Sequence, residues 1–149
     1  MTAMNELKRE DIVGQTIKRI HARAHTRDSL DFTETYYTLT TGVVFFMPLA
    51  ISPFVASRRP WNAWRLRGSV IDRCTGSPIA RVLAIQEQDG FIDPESLLVE
   101  FESGDCLSDT WVAPHGVGMT GLRCYHPGKL DLSRYRDYWT LDREADASA

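Results

Sequence analysis

Apolar and polar residues alternate in short runs along much of this chain, the period of a pleated strand. Over residues 16–24 the alternation is imperfect, with Ile20, Ala22 and Ala24 on one face and Arg19, His21 and Arg23 on the other. Residues 32–40 and 43–47 are rich in Thr, Tyr, Val and Phe and flank Thr41-Gly42. That pattern predicts a hairpin. Residues 79–86 predict another strand. At 97–102, Leu97, Val99 and Phe101 point one way and Glu100 and Glu102 the other, so one face should be wet. Ser103-Gly104-Asp105 then turns the chain into a strand over 106–112, and 122–126 predicts the last one.

Helical signals are few. Residues 6–13 predict a short helix ended by Gly14 in the left-handed conformation. Residues 69–74 predict a helical turn capped by Ser69 and stopped by Gly76 and Pro78. Residues 131–139 predict a third, with Leu132, Tyr135 and Trp139 on one side. Pro48, Pro53 and Pro60 deny ladder hydrogen bonds and predict an irregular path over 48–60.

Because strands follow strands without long crossover helices, the expected class is α+β with mostly antiparallel pairing. The expected form is a strongly bent sheet or small open barrel of six to seven strands with two to three short helices. It occupies a single domain over 1–141, with a polar tail at 142–149. The length of 149 residues suits one domain with its own core.

Composition narrows the class further. Residues 35–57 carry no charge, but the apolar part, 43–56, is shorter than the roughly 20 residues a spanning helix needs and contains two prolines. No membrane partner is therefore expected. Cys74, Cys106 and Cys124 are an odd, widely spaced set, which predicts reduced thiols rather than a disulfide framework. With no apolar run in residues 1–10, a cytoplasmic protein is expected.

Catalytic signals are sparse. His115, Cys124 and His126 are the nearest approach to a ligand set, but zinc sites favour close-spaced pairs, and neither CxxC nor HExxH occurs. No cofactor or metal is expected. No GxSxG elbow is present, and the loop from Pro114 to Gly121 does not follow the GxGxxG pattern. An enzyme would have to assemble His115, His126 and an acid such as Asp105 in one pocket. That is the alternative reading, and an enzyme is the less expected outcome.

Charge is distributed unevenly. Residues 1–81 carry a net +5 and residues 82–149 a net −8. Between Arg81 and Arg123 no Lys or Arg occurs, while Glu87, Asp89, Asp93, Glu95, Glu100, Glu102, Asp105 and Asp109 all do. Carboxylates on neighbouring strands about 4.8 Å apart repel one another, which a cationic partner would relieve. The opposing cluster, Arg58, Arg59 and Trp61 followed by Trp64, Arg65 and Arg67, interleaves rings and guanidinium groups as a nucleic-acid binder would. The isoelectric point near 5.8 makes nucleic acid the less favoured partner.

Three segments carry a resemblance. Residues 11–20 (DIVGQTIKRI), 76–79 (GSPI) and 98–104 (LVEFESG) look like parts of small bacterial β-rich domains, some of which serve as immunity proteins beside secreted toxins. The resemblance implies a binding protein that neutralises a cognate toxin, and it carries over no catalytic residue. Combined with the charge pattern, it predicts that an acidic hairpin face enters a basic active-site cleft on the toxin. Trp111 and Phe91 would act as apolar anchors. Phe45, Phe46, Leu49, Ile51 and Phe54 would form a second contact if exposed.

Overall fold

In the computed structural model the described residues are 7–26, 29–46, 50–51, 63–109 and 122–141; within them, side chains are described except at 22–26, 29–34, 50–51, 63–64, 70, 94–95, 109 and 122. Two antiparallel sheets account for most of them. The first takes β1 (Ile17–Thr26), β2 (Ser29–Leu39), β3 (Val44–Phe46), β4 (Ala50–Ile51) and β5 (Ala63–Arg65), in the order β4-β3-β2-β1-β5. The second takes β6 (Ile79–Gln86), β7 (Ile92–Phe101), β8 (Cys106–Asp109), β9 (Leu122–Tyr125) and β10 (Arg136–Asp137), in the order β10-β6-β7-β8-β9.

The antiparallel α+β expectation holds, and six of the described strands have four or more residues. The single bent sheet or open barrel does not hold: the strands divide into two sheets, and neither closes. Thr16 and Pro78 form the bridge between them, reinforced by Gly14 N–H to Ile79 O at 2.7 Å and Ile79 N–H to Gln15 O at 2.8 Å.

Two of the three predicted helices form, and the one expected over 6–13 is helical at Arg9–Ile12. In α1 (Arg9–Ile12) the Asp11 carboxylate accepts the Lys8 N–H at 2.9 Å, and Gly14 follows at φ +88°. In α2 (Ser69–Cys74) the residue before the helix is Gly68, so Ser69 lies inside the first turn instead of capping it. At the other end the Thr75 hydroxyl donates to the Ile71 carbonyl at 2.9 Å. No helix among the described residues is long and apolar enough to cross a membrane.

One core joins both sheets. Ile17, Ile20, Tyr37, Leu39 and Phe45 from the first sheet meet Ile79, Val82, Ala84, Leu97, Val99, Phe101 and Leu107 from the second, with Ile12, Ile71 and Cys74 from the helices. Each large apolar side chain so buried contributes about 1.5–3 kcal/mol. Phe45 is wholly buried and stacks on Tyr37 with ring centres 5.1 Å apart, so it belongs to the core, and the exposure on which a second contact depended is not met there. Phe46, half-buried, packs instead against Tyr36 on the opposite face. Leu49 and Phe54 lie outside the described residues.

Strand β7 departs from the half-wet expectation. Ser96, Leu97, Leu98 and Val99 are all buried, so both faces are covered here. Topology gives the reason. Strands β9 and β10 are opposite edges of the sheet, so residues 126–135 must cross it. Four strand spacings are about 19 Å, within reach of ten residues. Register puts Val82, Val99, Leu107 and Cys124 on the core face and Arg81, Glu100, Cys106 and Tyr125 on the other. Tyr135 lies near Tyr125, Cys106 and Asp93, so the crossing covers this second face, and burial raises its phenol pKa.

The helix expected at 131–139 is therefore absent. Asp131 accepts the Ser133 N–H at 3.0 Å, and Asp137 accepts the Trp139 N–H at 3.0 Å. Such local bonds compete with a continuous helix. The chain instead forms turns, the short β10 and a 3₁₀ turn at Tyr138–Thr140.

Candidate functional site

The β6–β7 hairpin and the β7–β8 turn carry most of the carboxylates singled out by the charge pattern. Strand β7 has ten residues, so its two ends are about 30 Å apart. Glu87, Asp89 and Asp93 stand at one end; Glu100, Glu102 and Asp105 stand at the other. These six acids are thus split between opposite ends of the sheet. The side chains of Glu95 and Asp109 are not described. Trp111, His115, Arg58, Arg59 and Trp61 lie outside the described residues. Trp64 is placed only by its backbone, in β5 opposite Ala22.

At the β7–β8 end the acids are already partnered. Asp105, 3% exposed, accepts from the Arg73 guanidinium at 2.8 Å and from the Ser103 hydroxyl at 2.9 Å. The Arg73 hydrogen bond is the main reason its carboxyl titrates below the usual carboxylate range; burial works in the opposite direction. Glu100 accepts from the Arg81 Nε at 2.6 Å across the β6–β7 pair. The expectation that these carboxylates lack a relieving cation is therefore corrected at Asp105 and Glu100. Both cations come from the basic half of the chain. Glu102 is exposed in the turn.

The turn itself is tightly determined. Phe101 N–H donates to Asp105 O at 2.9 Å and Gly104 N–H to Phe101 O at 2.8 Å. Gly104 has φ +93°, and a Cβ there would lie 3.0 Å from Pro127 Cγ. Only glycine suits such a position without strain.

His126 is brought to this end, with Nδ1 3.7 Å from Asp105 Oδ1. That is an ion-pair distance, beyond hydrogen-bond reach. Both oxygens of Asp105 accept hydrogen bonds, from Arg73 and Ser103, and at 3.7 Å the imidazole is not hydrogen-bonded to it as to a catalytic orienter. The thiols are those of Cys74, at the end of α2, Cys106, in β8, and Cys124, in β9. Burial, first, and then the Cys124 thiol push Cys74 well up. Burial also raises Cys124, and it pushes Cys106 up to about 11. These thiols are the reverse of an activated nucleophile, which needs a depressed pKa. Among the described residues no three His, Cys, Asp or Glu side chains group as metal ligands would.

The β6–β7 tip is a different environment. Glu87 N–H donates to Phe91 O at 2.7 Å and closes the hairpin; Gln86 Nε2 donates to Gly90 O at 2.9 Å. The Asp89 carboxylate accepts the Phe91 N–H at 2.9 Å. The Phe91 ring is held outward on this frame. It is 52% exposed, the most exposed large apolar side chain among the described residues. Beside it an open groove of about 700 Å³ separates residues 85–89 from Ser133, Arg134 and Arg136. Arg134 approaches Glu87 at 3.5 Å, with both side chains well exposed.

Sequence reasoning did not find Arg73 or Arg134. Arg73 pairs with Asp105, at sequence separation 32, and Arg134, on the segment that crosses the sheet, pairs with Glu87. The Arg81–Glu100 pair follows from hairpin register, but irregularities at 79–81 and 83–85 shift that register from the ideal.

In comparisons with known proteins, no family model matches the chain, no curated protein matches its sequence and no solved structure matches its fold.

Proposed function

We propose that this chain is a non-enzymatic binding protein of the bacterial immunity type, which neutralises a cognate toxin in the cytoplasm by occluding a basic active-site cleft. The observation that carries the reading is Phe91, exposed at the tip of an acidic hairpin and fixed there by Asp89. Exposed aromatic anchors ringed by polar groups dominate binding energy at protein interfaces. A tip ordered before binding loses little entropy on docking.

The contact is assigned to the β6–β7 tip rather than to the Glu100–Asp109 hairpin, because Glu100 and Asp105 are engaged within the molecule. At the tip, Glu87 and Asp89 are exposed and Asp93 is half-buried. Among the described residues Glu87 has a long, solvated ion pair, which a cationic partner can exchange at little cost. The acidic surroundings steer a basic partner, and the ring supplies the buried contact.

The test uses the purified product of the adjacent gene as the partner. Titration calorimetry should give a complex, and Phe91→Ala should weaken it at least about tenfold. Glu87→Lys with Asp89→Lys should slow association most strongly at low salt. An absent complex, or one indifferent to both changes, overturns the proposal.

A further inference from the structure

The groove beside Phe91 has two walls of opposite charge, and the fold accounts for both. Strand β10 pairs with β6 at Arg136–Ala84 and Asp137–Leu83. Just before it the chain turns, closed by Tyr135 N–H to Leu132 O at 3.0 Å. The groove opens where this turn faces the last residues of β6 and the hairpin tip, with Ile85, Glu87 and Asp89 on one wall and Arg134 and Arg136 on the other. Its volume of about 700 Å³ lies within the range of about 300–1,000 Å³ typical of clefts that take ligands. Across it Arg134 meets Glu87 at 3.5 Å, too long for a hydrogen-bonded pair, and both side chains are exposed. Arg136 is exposed as well, and among the described residues no carboxylate stands within ion-pair distance of it. Asp89 lines the groove and also holds the Phe91 N–H at 2.9 Å, so a body that covers the ring covers the mouth of the groove.

We infer that this groove receives a segment of the protein partner that carries both charges: a Lys or Arg set against Glu87 and Asp89, and an Asp or Glu set against Arg134 and Arg136. The inference rests on the reading of the hairpin tip as an interface and refines it, because the partner's contact surface is then mixed in charge rather than uniformly basic. Charge complementarity decides between the two. A uniformly basic surface seated over Phe91 would press cations against two guanidinium groups, and like charges brought together at an interface oppose docking. A partner carboxylate removes that repulsion and suits the planar fork of arginine, which binds carboxylates through two parallel hydrogen bonds. The exchange conserves ion pairs. The partner's cation replaces Arg134 at Glu87, and the released Arg134 joins Arg136 on the partner's carboxylate. Little is lost in the free protein, since the pair that breaks is long and solvated. Opposite charges fixed across one groove also set the orientation of docking, which a single aromatic anchor does not.

The test is calorimetric titration of the purified adjacent-gene product into wild type, into Arg134→Glu with Arg136→Glu, and into the milder Arg136→Gln, with unfolding curves recorded for each. The sign of the change discriminates. The expected result is binding weakened at least about tenfold by the double reversal and less by Arg136→Gln. Reversing one Asp or Glu of the partner to Lys should restore affinity for the doubly reversed chain. Tighter or unchanged binding of that chain, as a uniformly basic partner would give, overturns the inference. So does a loss that no such reversal in the partner restores. If Phe91→Ala still weakens the complex in either case, the tip remains an interface and the inference about the groove alone fails. An absent complex overturns both. Should the double reversal fail to fold, Arg136→Gln carries the test, and affinity equal to or above wild type overturns the inference.

Discussion

The two ends of strand β7 carry the same kind of side chain and use it in opposite ways. At the β7–β8 turn, Asp105 is buried and engaged by Arg73 and Ser103, and the surrounding backbone closes on itself. At the β6–β7 tip, Asp89 is exposed and spends its carboxylate on the Phe91 N–H, which leaves an aromatic ring facing solvent. Negative charge in a sequence is therefore not one signal. Where a distant arginine arrives it fastens the fold, and where none is buried beside it the surface remains open to other molecules.

The sharpest way to break this contrast is at Asp105. Removing a buried carboxylate that holds a guanidinium and a hydroxyl should cost about 2–3 kcal/mol for Asp105→Ala in urea denaturation, less than a fully buried pair because Arg73 can rehydrate. The acid limb sharpens the same point. Asp105 titrates lower in the folded chain than in the unfolded one, so its contribution is complete above the unfolded carboxyl value of about 3.9. It is lost as pH falls from there through the depressed folded value. Stability curves for Asp105→Asn should accordingly be flatter than wild type in that acid window.

Next in size is Gly104→Ala. It combines φ +93° with a 3.0 Å approach to Pro127 and should cost about 1–2 kcal/mol, more than the same change at Gly42, where a Cβ meets open space. Smaller again is Glu100→Gln. Its pair with Arg81 is cross-strand and partly solvated, so the loss should be about 0.5 kcal/mol and should shrink with added salt. Smallest is Phe91→Ala, which should change stability by less than about 0.5 kcal/mol because the ring packs little against its own fold.

Much of the local structure was legible in the sequence. The 69–74 helix, the 79–86 strand and the hairpin turning at Thr41-Gly42 depend on short-range propensity and turn chemistry, and all three appear. What depends on distant residues was not legible. Leu98 reads as a wet-face residue by alternation, and only the crossing of residues 126–135 over the sheet buries it. The same crossing replaces a predicted helix with turns. Asp105 reads as an exposed turn acid until α2 delivers Arg73 to it. Phe91 is expected from the sequence as an apolar anchor, but its exposure depends on how the turn at 87–91 closes.

The account turns on the hairpin tip acting as an interface while the opposite end acts as a clasp. The most direct measurement is the affinity of the purified adjacent-gene product for wild type and for Phe91→Ala, with unfolding curves recorded on the same samples. Superimposable unfolding with at least about tenfold weaker binding is the predicted result. Equal affinity for the two proteins would contradict it.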